Sequence, residues 1–466
     1  MHDVALVWFR RDLRLADNPA LTGALDRARA AVPVTVEPAA YRPGAAATAW
    51  RARSLVELDA ALRERGSSLA VFDGPAHEVL PAVARETGAT LVSFTRAWDP
   101  ESLAEETRVA AALEDAGVEA RAAESAHLVA PGALTTHAGT PYRVFTPYWR
   151  AWERAVRAEE PLAAPARVPA PPRAPRAGRS PAAASGPGLH ARWRPGEAGA
   201  AGRLARFAAG ALGDYAAGRD RPDLEGTSEL SAHLAAGEIS VRQVLHAVSR
   251  SAAAGTPDAE AFVRQLAWRD FAAQVLGDFP DLATRPLRPE FARFPWRDDP
   301  DAFSRWKAGT TGFPLVDAGM RQLARTGWMH NRVRLAAASV LVKDFLVPWQ
   351  NGERYFRDAL VDYDPAQNAF NWQWVAGSGA DAAPYFRIFN PAAQGRRFDP
   401  DGTYVRAWVP ELEDVNAPRV HAPYDVPAEE LLAEGGAAPY PPPLIDHASA
   451  RERALTAYRL LREGSL

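Results

Sequence analysis

The chain has 466 residues, of which 47% are hydrophobic and 24% are charged, and its formal net charge is −3 at pH 7. This is the balance of an ordinary globular protein, and the length exceeds what one hydrophobic core usually supports, so two domains are expected. The absence of cysteine excludes disulfides, thiolate metal sites and cysteine nucleophiles.

The N-terminal sequence MHDVALVWFRRD lacks the long apolar stretch of a secretory signal. No run of about 18 uncharged apolar residues occurs in the chain, so a membrane-spanning helix is not expected. We therefore expect a cytoplasmic protein.

Residues 1–127 are predicted to form an α/β domain with an open parallel, Rossmann-like sheet. Helical stretches separate short apolar runs. The first of these helices is predicted to begin at Pro19, with Asn18 as its N-cap. Repeated strand-then-helix units imply a parallel sheet with helices on both faces. The runs that have the length of buried strands are VALVWF (4–9), VPVTV (32–36), LAVF (69–72) and TLVSF (90–94). The glycines that stand where helices would end are Gly66, Gly88 and Gly117.

The first turn of this domain, FRRDLRLADNPA, lacks the glycine-rich dinucleotide fingerprint. A nicotinamide site is therefore not expected there.

Residues 128–196 are predicted to be an interdomain linker. From residue 157 onward the composition alternates between proline, alanine and arginine without periodicity, and such a segment cannot bury enough apolar surface to order itself. Residues 197–466 are predicted to form a second, mostly α-helical domain. Its helical stretches are 203–217, 240–253, 259–277, 315–326 and 331–346.

Two polar patterns stand out in the second domain. EGTSELSAHL (225–234) places hydroxyl groups at a helix start, which is typical either of an ordinary N-cap or of an anion site. Asp362 and Asp364 lie two residues apart, with Asn368 one helical turn beyond Asp364. The two carboxylates are compatible with a metal site, an acid–base pair or plain loop residues, and a metal is not favoured because no histidine lies nearby.

Tryptophan is abundant, with fourteen residues in the chain. Core packing explains most of them, but a series of indoles is also a route for electrons. Those within the second domain include Trp296, Trp306, Trp328, Trp349, Trp372 and Trp374.

Several long motifs, in order along nearly the whole chain, make it similar to the DNA photolyases and cryptochromes, which are flavoproteins driven by blue light. Within that family the sequence most resembles the microbial photolyases that repair cyclobutane pyrimidine dimers. The motifs are LVWFRRDLRLADNPAL (6–21), TSELS (227–231), WRDF (268–271), WKAGTTGFPLVDAGMRQL (306–323), GWMHNRVRL (327–335), LVDYDPAQNAFNWQW (360–374), DAAPYFRIFNP (381–391) and YVRAWVPEL (404–412).

The resemblance implies that the helical domain binds FAD. The residues that match contacts to the FAD phosphates are Tyr215, Thr227, Ser228, Glu229, Leu230 and Ser231. Those that match the surroundings of the flavin are Arg269, Asn331, Asp362, Tyr363, Asp364 and Asn368, with Arg334 as the arginine that pairs with Asp362. The match also implies a relay of tryptophans that reduces the flavin in light, running outward through Trp372, Trp349 and Trp296.

The implied reaction is light-driven repair of the dimer by an electron from excited, reduced, anionic FAD, and the implied partner is UV-damaged DNA. Because a dimer inside a duplex cannot reach the flavin, it must be flipped out. Trp268 and Trp374 match the aromatic walls that would hold it. The arginines that match phosphate contacts are Arg219, Arg332 and Arg387.

Two positions depart from the dimer-repairing pattern. Gln265 stands where a glutamate usually bonds the lesion, and Leu335 replaces a methionine that touches it. Glutamine at that position also occurs in relatives that repair the (6-4) photoproduct, but those enzymes use a histidine where this chain has Asn331. The alternatives to dimer repair are therefore a cryptochrome-like photoreceptor and, ranked lower, (6-4) repair.

The resemblance further allows a second, light-harvesting pigment in the N-terminal domain. The folate-binding positions carry Glu101 and Ser102 in place of asparagine and glutamate, so folate is poorly supported. A deazaflavin and an empty site both stay open. We expect a monomer without a resident metal.

Overall fold

The computed structural model of the protein describes residues 1–37, 43–124, 127–173, 175–176, 178–182, 189–382, 385–425, 427 and 440–464. The chain divides by compactness into two units, each built from separate stretches. The first unit comprises Met1–Gly213, Ser228–Pro280 and Val361–Ala366, and the second comprises Asp214–Thr227, Asp281–Leu360 and Gln367–Leu466. The predicted boundaries after residues 127 and 196 stay a prediction.

The first unit contains a five-stranded parallel sheet in the order β3-β2-β1-β4-β5. The predicted α/β organisation is confirmed, and each predicted apolar run lies in or overlaps a strand. The strands are β1 His2–Trp8, β2 Ala28–Glu37, β3 Ala70–Asp73, β4 Leu91–Thr95 and β5 Glu119–Ala123. The strand β5 was not predicted because EARAA is an exposed edge strand without an apolar run.

Alternating side chains of the central strand fill cores on both faces of the sheet. In β1, Leu6 and Trp8 belong to one apolar cluster, and Ala5 and Val7 belong to the other. Helix α1 begins as predicted, because the Asn18 side chain accepts the backbone N–H of Leu21. The helices of the first unit are α1 Pro19–Leu25, α2 Ala45–Arg63, α3 Ala76–Thr87, α4 Pro100–Asp115, α5 Phe145–Ala155, α6 Glu197–Ala209, α8 Ser231–Ala236, α9 Val241–Ser249 and α10 Pro257–Asp278.

The strand order reverses between β1 and β4, so the loops that follow these two strands diverge at the carboxyl edge of the sheet. Such a switch point is where open α/β sheets bind ligands. Arg10 and Arg11 follow β1, and Arg96 and Trp98 follow β4. The topology therefore brings cationic and aromatic side chains to this edge.

Helix α5 lies inside the range predicted as linker. Phe145, Tyr148, Trp149 and Trp152 are buried and share one helical face, which supplies the apolar stripe that the rest of the linker lacks. From 157 to 196 the described residues form no helix, and their one β contact is an isolated bridge between Arg179 and Val71.

The second unit is helical in its described residues, as predicted. The predicted stretch 203–217 is not one helix, because α6 ends before Gly210 and a 3₁₀ turn, Ala211–Asp214, precedes α7. Its helices are α7 Tyr215–Gly218, α11 Pro300–Ala308, α12 Pro314–Thr326, α13 Asn331–Ser339, α14 Trp349–Ala359, α15 Pro365–Ala376 (which begins in the first unit), α16 Pro391–Phe398, α17 Thr403–Trp408 and α18 His447–Arg462. No helix in the described part of the chain has the length and apolarity needed to cross a membrane.

Candidate functional site

The segment between α14 and α15 presents a carboxylate that two arginines share. Asp364 is 3% exposed, and its Oδ2 accepts one hydrogen bond from Arg269 (3.0 Å) and one from Arg11 (3.1 Å). Its other oxygen accepts the backbone N–H of Ala366 at 3.1 Å, which helps to begin α15. The sequence predicted Asp364 and Arg269 as site residues, whereas Arg11 was not predicted.

The surroundings of this carboxylate are positively charged. Burial lowers the pKa of His127 to about 3, and the charges of Arg269 and Arg11 act in the same direction. His127 therefore stays neutral at physiological pH. Its ring meets that of Trp98 edge to face, with centroids 5.2 Å apart.

The neighbours of Asp364 line a cavity at the switch point of the sheet. Val361 and Tyr363 form part of its wall, whereas Asp364 is held by Arg269 and Arg11. Other lining residues include Arg10, Arg11, Trp50, Arg51, Trp98 and Ser102. The combination of indole rings with several guanidinium groups suits a flat, anionic ligand.

Trp50 is a fixed element of that cavity. Its Nε1 donates a hydrogen bond to Glu238 at 3.1 Å, and its ring meets those of His233 and Trp193 edge to face. Glu238 also accepts from the backbone N–H of Gly196 at 2.6 Å. This buried network orients the indole before any ligand binds.

The 227–231 segment contains a residue in an uncommon backbone conformation. Glu229 has φ +48°, and its carboxylate forms ion pairs with Arg192 and Arg203. Leu230 donates its backbone N–H to the Ser228 hydroxyl at 3.4 Å, and Ser231 begins the short helix α8. Two ion pairs thus hold the turn that presents Ser228 and Ser231, which were both predicted.

A close backbone approach precedes Thr227 in the second unit. A Cβ on Gly226 would lie 2.4 Å from the carbonyl oxygen of Gly218, so only glycine fits there. Gly218 ends α7, the helix that carries the buried Tyr215. The Arg219 guanidinium lies 5.4 Å from the Tyr215 ring centroid.

Asn368 has its amide held in one orientation. Its Nδ2 donates to the backbone oxygen of Glu353 at 3.0 Å and to Oε1 of Glu353 at 2.9 Å. Because both amide hydrogens serve Glu353, the amide oxygen of Asn368 is left as the group that can accept from a ligand N–H. Burial raises the pKa of Glu353, against the pull of Arg357, whose guanidinium lies 3.5 Å from Oε2.

The two inner tryptophans of the predicted relay are buried in the second unit. A Cβ on Gly352 would lie 2.1 Å from the Trp372 ring, so α14 and α15 approach closely at this glycine. Trp349 lies one helical turn before Gly352 on α14. Trp296 is only partly buried, and its ring centroid lies 4.5 Å from that of Phe294.

Trp372 also has aromatic neighbours to which the sequence assigned no role. Its ring centroid lies 5.0 Å from that of Phe356 and 6.2 Å from that of Trp306. Trp306 is fully buried, and its Nε1 donates to the carbonyl of Ala337 at 2.9 Å. These rings fix the plane of the Trp372 indole.

In the first unit, Trp268 stacks face to face on Phe145. Their ring centroids are 3.6 Å apart and their planes differ by 8°. Gln265, one turn earlier on α10, donates from Nε2 to the carbonyl of Ala261 at 3.0 Å. The sequence predicted Trp268 and Gln265 but not Phe145, whose signal was only the aromatic stripe of α5.

The second unit contains the remaining predicted lesion and DNA residues. Trp374 donates from Nε1 to the carbonyl of Asp381 at 3.1 Å, and the Arg387 guanidinium lies 5.5 Å from its ring centroid. Arg332 and Arg219 share the carboxylate of Asp220, at 2.7 Å and 3.8 Å.

The GWMHNRVRL motif forms the start of α13 in that unit. Asn331 is its exposed first residue, and Leu335 is half-buried one turn later. Arg334 donates from Nε to the carbonyl of Met329 at 2.8 Å, which anchors its guanidinium.

In each unit, separate groups suit separate parts of a flavin dinucleotide. The hydroxyls and backbone N–H groups of a helix start suit phosphates, and the oriented Asn368 amide suits a ring N–H. The shared Asp364 carboxylate leaves two guanidinium charges against one negative charge, which suits an anionic ring.

Two family models match the chain. The family model described as "DNA photolyase" matches residues 5–170, and the one described as "FAD binding domain of DNA photolyase" matches residues 262–460.

Individual relatives match the whole chain. A protein named deoxyribodipyrimidine photo-lyase from Agrobacterium fabrum is 43% identical, over 98% of this chain and 98% of its own length. The crystal structure of a bacterial class III photolyase from Agrobacterium tumefaciens superimposes with a TM-score of 0.94 at 42% identity, over 99% of this chain and 98% of that chain. An archaeal photolyase from Sulfolobus tokodaii, described as containing two FAD molecules that imply a novel light-harvesting cofactor, superimposes with a TM-score of 0.83 at 30% identity, over 98% of this chain and 99% of that chain.

Proposed function

The chain belongs to the DNA photolyase and cryptochrome family, and from that premise we propose that it repairs cyclobutane pyrimidine dimers in UV-damaged DNA under blue light. The observation that carries this function is the match to proteins named deoxyribodipyrimidine photo-lyase over nearly the full length of both chains. The chemistry that bound FAD supplies is the transfer of one electron and its return, without net redox change.

The residues proposed to hold FAD divide into three groups. The residues of the first group bind the phosphates: Thr227, Ser228, Leu230, Ser231 and Tyr215. Glu229 stabilises the turn of the 227–231 segment through its two ion pairs. The residues of the second group surround the ring system: Asp362, Asp364, Tyr363, Asn331, Arg269 and Arg334. Asn368 accepts from a ring N–H through its amide oxygen, because Glu353 occupies both amide hydrogens.

The lesion is proposed to stack on Trp268 and Trp374. The Trp268 indole is rigid, since Phe145 covers one of its faces in a parallel stack. Gln265 bonds the flipped bases through its amide and Leu335 contacts them. Arg219, Arg332 and Arg387 bind the DNA phosphates, and these contacts position the strand without reading its sequence.

The relay is proposed to run from the buried Trp372 through Trp349 to the partly exposed Trp296. Its purpose is to reduce oxidised flavin in light. Trp372→Phe should abolish most photoreduction while chemically reduced enzyme still repairs dimers. Trp328→Phe, at a buried indole of the same unit that the relay does not include, is the matched control. Unchanged photoreduction in Trp372→Phe would contradict the relay.

The cavity of the first unit is proposed to bind a second, light-harvesting pigment. Trp50 and Trp98 provide flat walls, and Arg10, Arg11 and Arg51 provide positive charge, which favours an anionic flavin-like or deazaflavin pigment. The Sulfolobus tokodaii photolyase, with its two FAD molecules, is a precedent within the family. Reconstitution with a deazaflavin should add its absorption band and a matching maximum in the action spectrum, and Trp50→Ala should remove both.

The decisive experiment for the function is a repair assay. Purified protein with fully reduced FAD is mixed with an oligonucleotide that carries one thymine dimer, and thymine absorbance is followed under blue light and in the dark. Recovery in light alone supports dimer repair. No recovery, despite full reduction, would leave the photoreceptor alternative, and recovery only on an oligonucleotide with a (6-4) photoproduct would reassign the lesion.

We propose that the protein works as a monomer in the bacterial cytoplasm, where the nucleoid is accessible. The bacterial source of its relatives supports this location. Light scattering with and without damaged DNA measures the molecular mass, and the mass of one protein chain is expected in both samples once the mass of the DNA is subtracted.

A further inference from the structure

We propose that Arg11 is a positioning residue that couples the cavity at the sheet edge to the flavin. It holds the Asp364 carboxylate and, through it, Arg269. The inference rests on the proposed role of Asp364 and Arg269 in binding FAD, and it adds a route by which the contents of the cavity act on that cofactor.

The Arg11 guanidinium is held by contacts from several parts of the first unit. It donates from Nη2 to Asp364 Oδ2 at 3.1 Å and from Nε to the carbonyl of Ala235 at 3.2 Å. It also lies 3.7 Å from Asp99 Oδ2 and 4.7 Å from the centroid of the Trp98 ring. With 15% of its side chain exposed, Arg11 has little freedom to take another position.

Arg11 and Arg269 bind the same oxygen atom. Arg269 reaches Asp364 Oδ2 at 3.0 Å and also contacts the carbonyl of Leu234 at 3.4 Å, the residue before the one that Arg11 contacts. Because one oxygen is shared, a change in the hold of Arg11 on Asp364 changes the hold of Arg269. Arg269 therefore depends on a residue located directly after the first strand.

The trio of Asp364, Arg11 and Arg269 carries a net charge of +1, and Asp99 adds a negative charge 3.7 Å from Arg11. A positive charge beside the flavin favours its reduced anionic form over its oxidised form, so it raises the reduction potential. Loss of the Arg11 charge would bring the trio to neutrality. The potential should then become more negative.

The same guanidinium forms part of the cavity wall. Arg11 lines the cavity together with Trp98, Val361 and Tyr363, and the last two belong to the segment that ends in Asp364. An anionic group in the cavity would attract Arg11 and weaken its contact with Asp364. By thermodynamic linkage, reduction of the flavin must then change the affinity of the cavity for an anion by the same factor.

The first test removes the charge of Arg11 in the full-length protein loaded with FAD. Spectroelectrochemical titration of Arg11→Gln should give a more negative midpoint potential and a several-fold higher dissociation constant for FAD. The midpoint potential of Arg11→Lys, which keeps the positive charge, should stay closer to that of the parent. Arg27→Gln is the matched control, because Arg27 pairs with a carboxylate, that of Glu119, at the surface of the same unit.

Equal potentials in Arg11→Gln, Arg27→Gln and the parent would overturn the role of Arg11. A protein that binds no FAD at all would instead overturn the proposed function, so the two failures are distinguishable. Thermal unfolding of each variant shows whether the fold is retained.

The second test places a negative charge inside the cavity without a ligand. Ala47 lines the cavity, and Ala47→Glu should lower the flavin potential, whereas Ala47→Gln should leave it unchanged. When Ala47→Glu is combined with Arg11→Gln, the shift in flavin potential should be smaller, because Arg11, which is proposed to transmit the shift, is absent. Equal shifts in both backgrounds, or no shift in either, would show that Arg11 does not couple the cavity to the flavin.

Discussion

Two of the carboxylates near the proposed flavin contacts are buried in different ways. Asp364, in the first unit, lies between two guanidinium groups and caps a helix. Glu353, in the second unit, holds the amide of Asn368 and has one guanidinium at 3.5 Å, and burial raises its pKa. Asp364 is therefore compensated by two positive charges, whereas at Glu353, close to the residue proposed to contact the flavin ring, burial favours the protonated form.

Asp270 extends the comparison, because it follows Arg269 on α10 but has little charge compensation. Its carboxylate accepts from Trp152 Nε1 at 2.8 Å and from the backbone N–H of Val129 at 3.0 Å. Burial raises its pKa to about 7 in spite of these donors. Burial therefore outweighs both neutral donors and the charge of Arg269 at this carboxylate.

The largest effect is expected from Asp364→Asn. Removal of the shared carboxylate leaves two guanidinium groups uncompensated, which should lower the free energy of unfolding by about 3–5 kcal/mol. FAD content after purification should fall to a small fraction of the parent value. Denaturant titration measures the free energy of unfolding, and the flavin-to-protein absorbance ratio measures the FAD content.

Asp281→Asn is the control for that variant, because Asp281 pairs with Arg285 on the surface. Its removal should change stability by less than about 1 kcal/mol. If Asp364→Asn behaved like this control, the ion pairs that Asp364 forms with Arg11 and Arg269 would stabilise the protein no more than a surface pair does.

A pH dependence of stability is expected from Asp270. Its pKa is about 7 in the folded protein and 3.8 in the unfolded reference, so the folded state binds the proton more tightly. The stability that this proton contributes is fully present below pH 4 and is lost as pH rises to about 7. The loss is at most about 4 kcal/mol. The difference in unfolding free energy between the parent and Asp270→Asn should fall across that range, and a constant difference would contradict the raised pKa.

A smaller effect is expected from Glu353→Gln. The glutamine Oε1 still accepts from Asn368, so FAD content should stay near the parent value. Because the pKa of Glu353 is raised in the folded protein, its proton stabilises the fold at low pH and this contribution is lost as pH rises through the folded pKa. The variant should lack that dependence. Glu353→Ala, which frees the Asn368 amide, should change the flavin absorption spectrum as Glu353→Gln does not.

The smallest effect is expected from Gln265→Glu, which adds a carboxylate at a half-buried position of α10. If glutamine is a weaker lesion contact, affinity for a dimer-containing oligonucleotide should rise or hold. Binding in the dark measures it, and undamaged DNA is the control. A sharp fall in dimer affinity would indicate a pocket shaped for another lesion.

Local features of the fold could be predicted from the sequence because neighbouring residues encode them. The apolar runs of β1 and β4 identify strands, and Asn18 followed by Pro19 identifies a helix start. The edge strand β5 could not be predicted in this way, because its stability depends on pairing with β4 rather than on burial of its own side chains.

The sequence pointed to individual residues of the candidate site, but it did not show which side chains contact one another. The motifs pointed to Asp364, Arg269 and Trp268, and the comparisons confirm the family that gave those residues a meaning. Arg11 lies within the motif of residues 6–21 but received no role, and Phe145 lies outside the motifs. Each contacts its partner only because helices and loops distant in sequence pack together.

The sequence by itself determined the first four strands, the start of α1, the family and the residue types available for chemistry, since periodicity, capping and motif spacing act over short distances along the chain. Only the tertiary structure decided that Arg11 meets a carboxylate 353 residues away, and that Gly352 leaves room for the ring of Trp372. Such contacts depend on packing in three dimensions, where the energy of a buried charge or ring is set by what surrounds it and not by its neighbours in sequence.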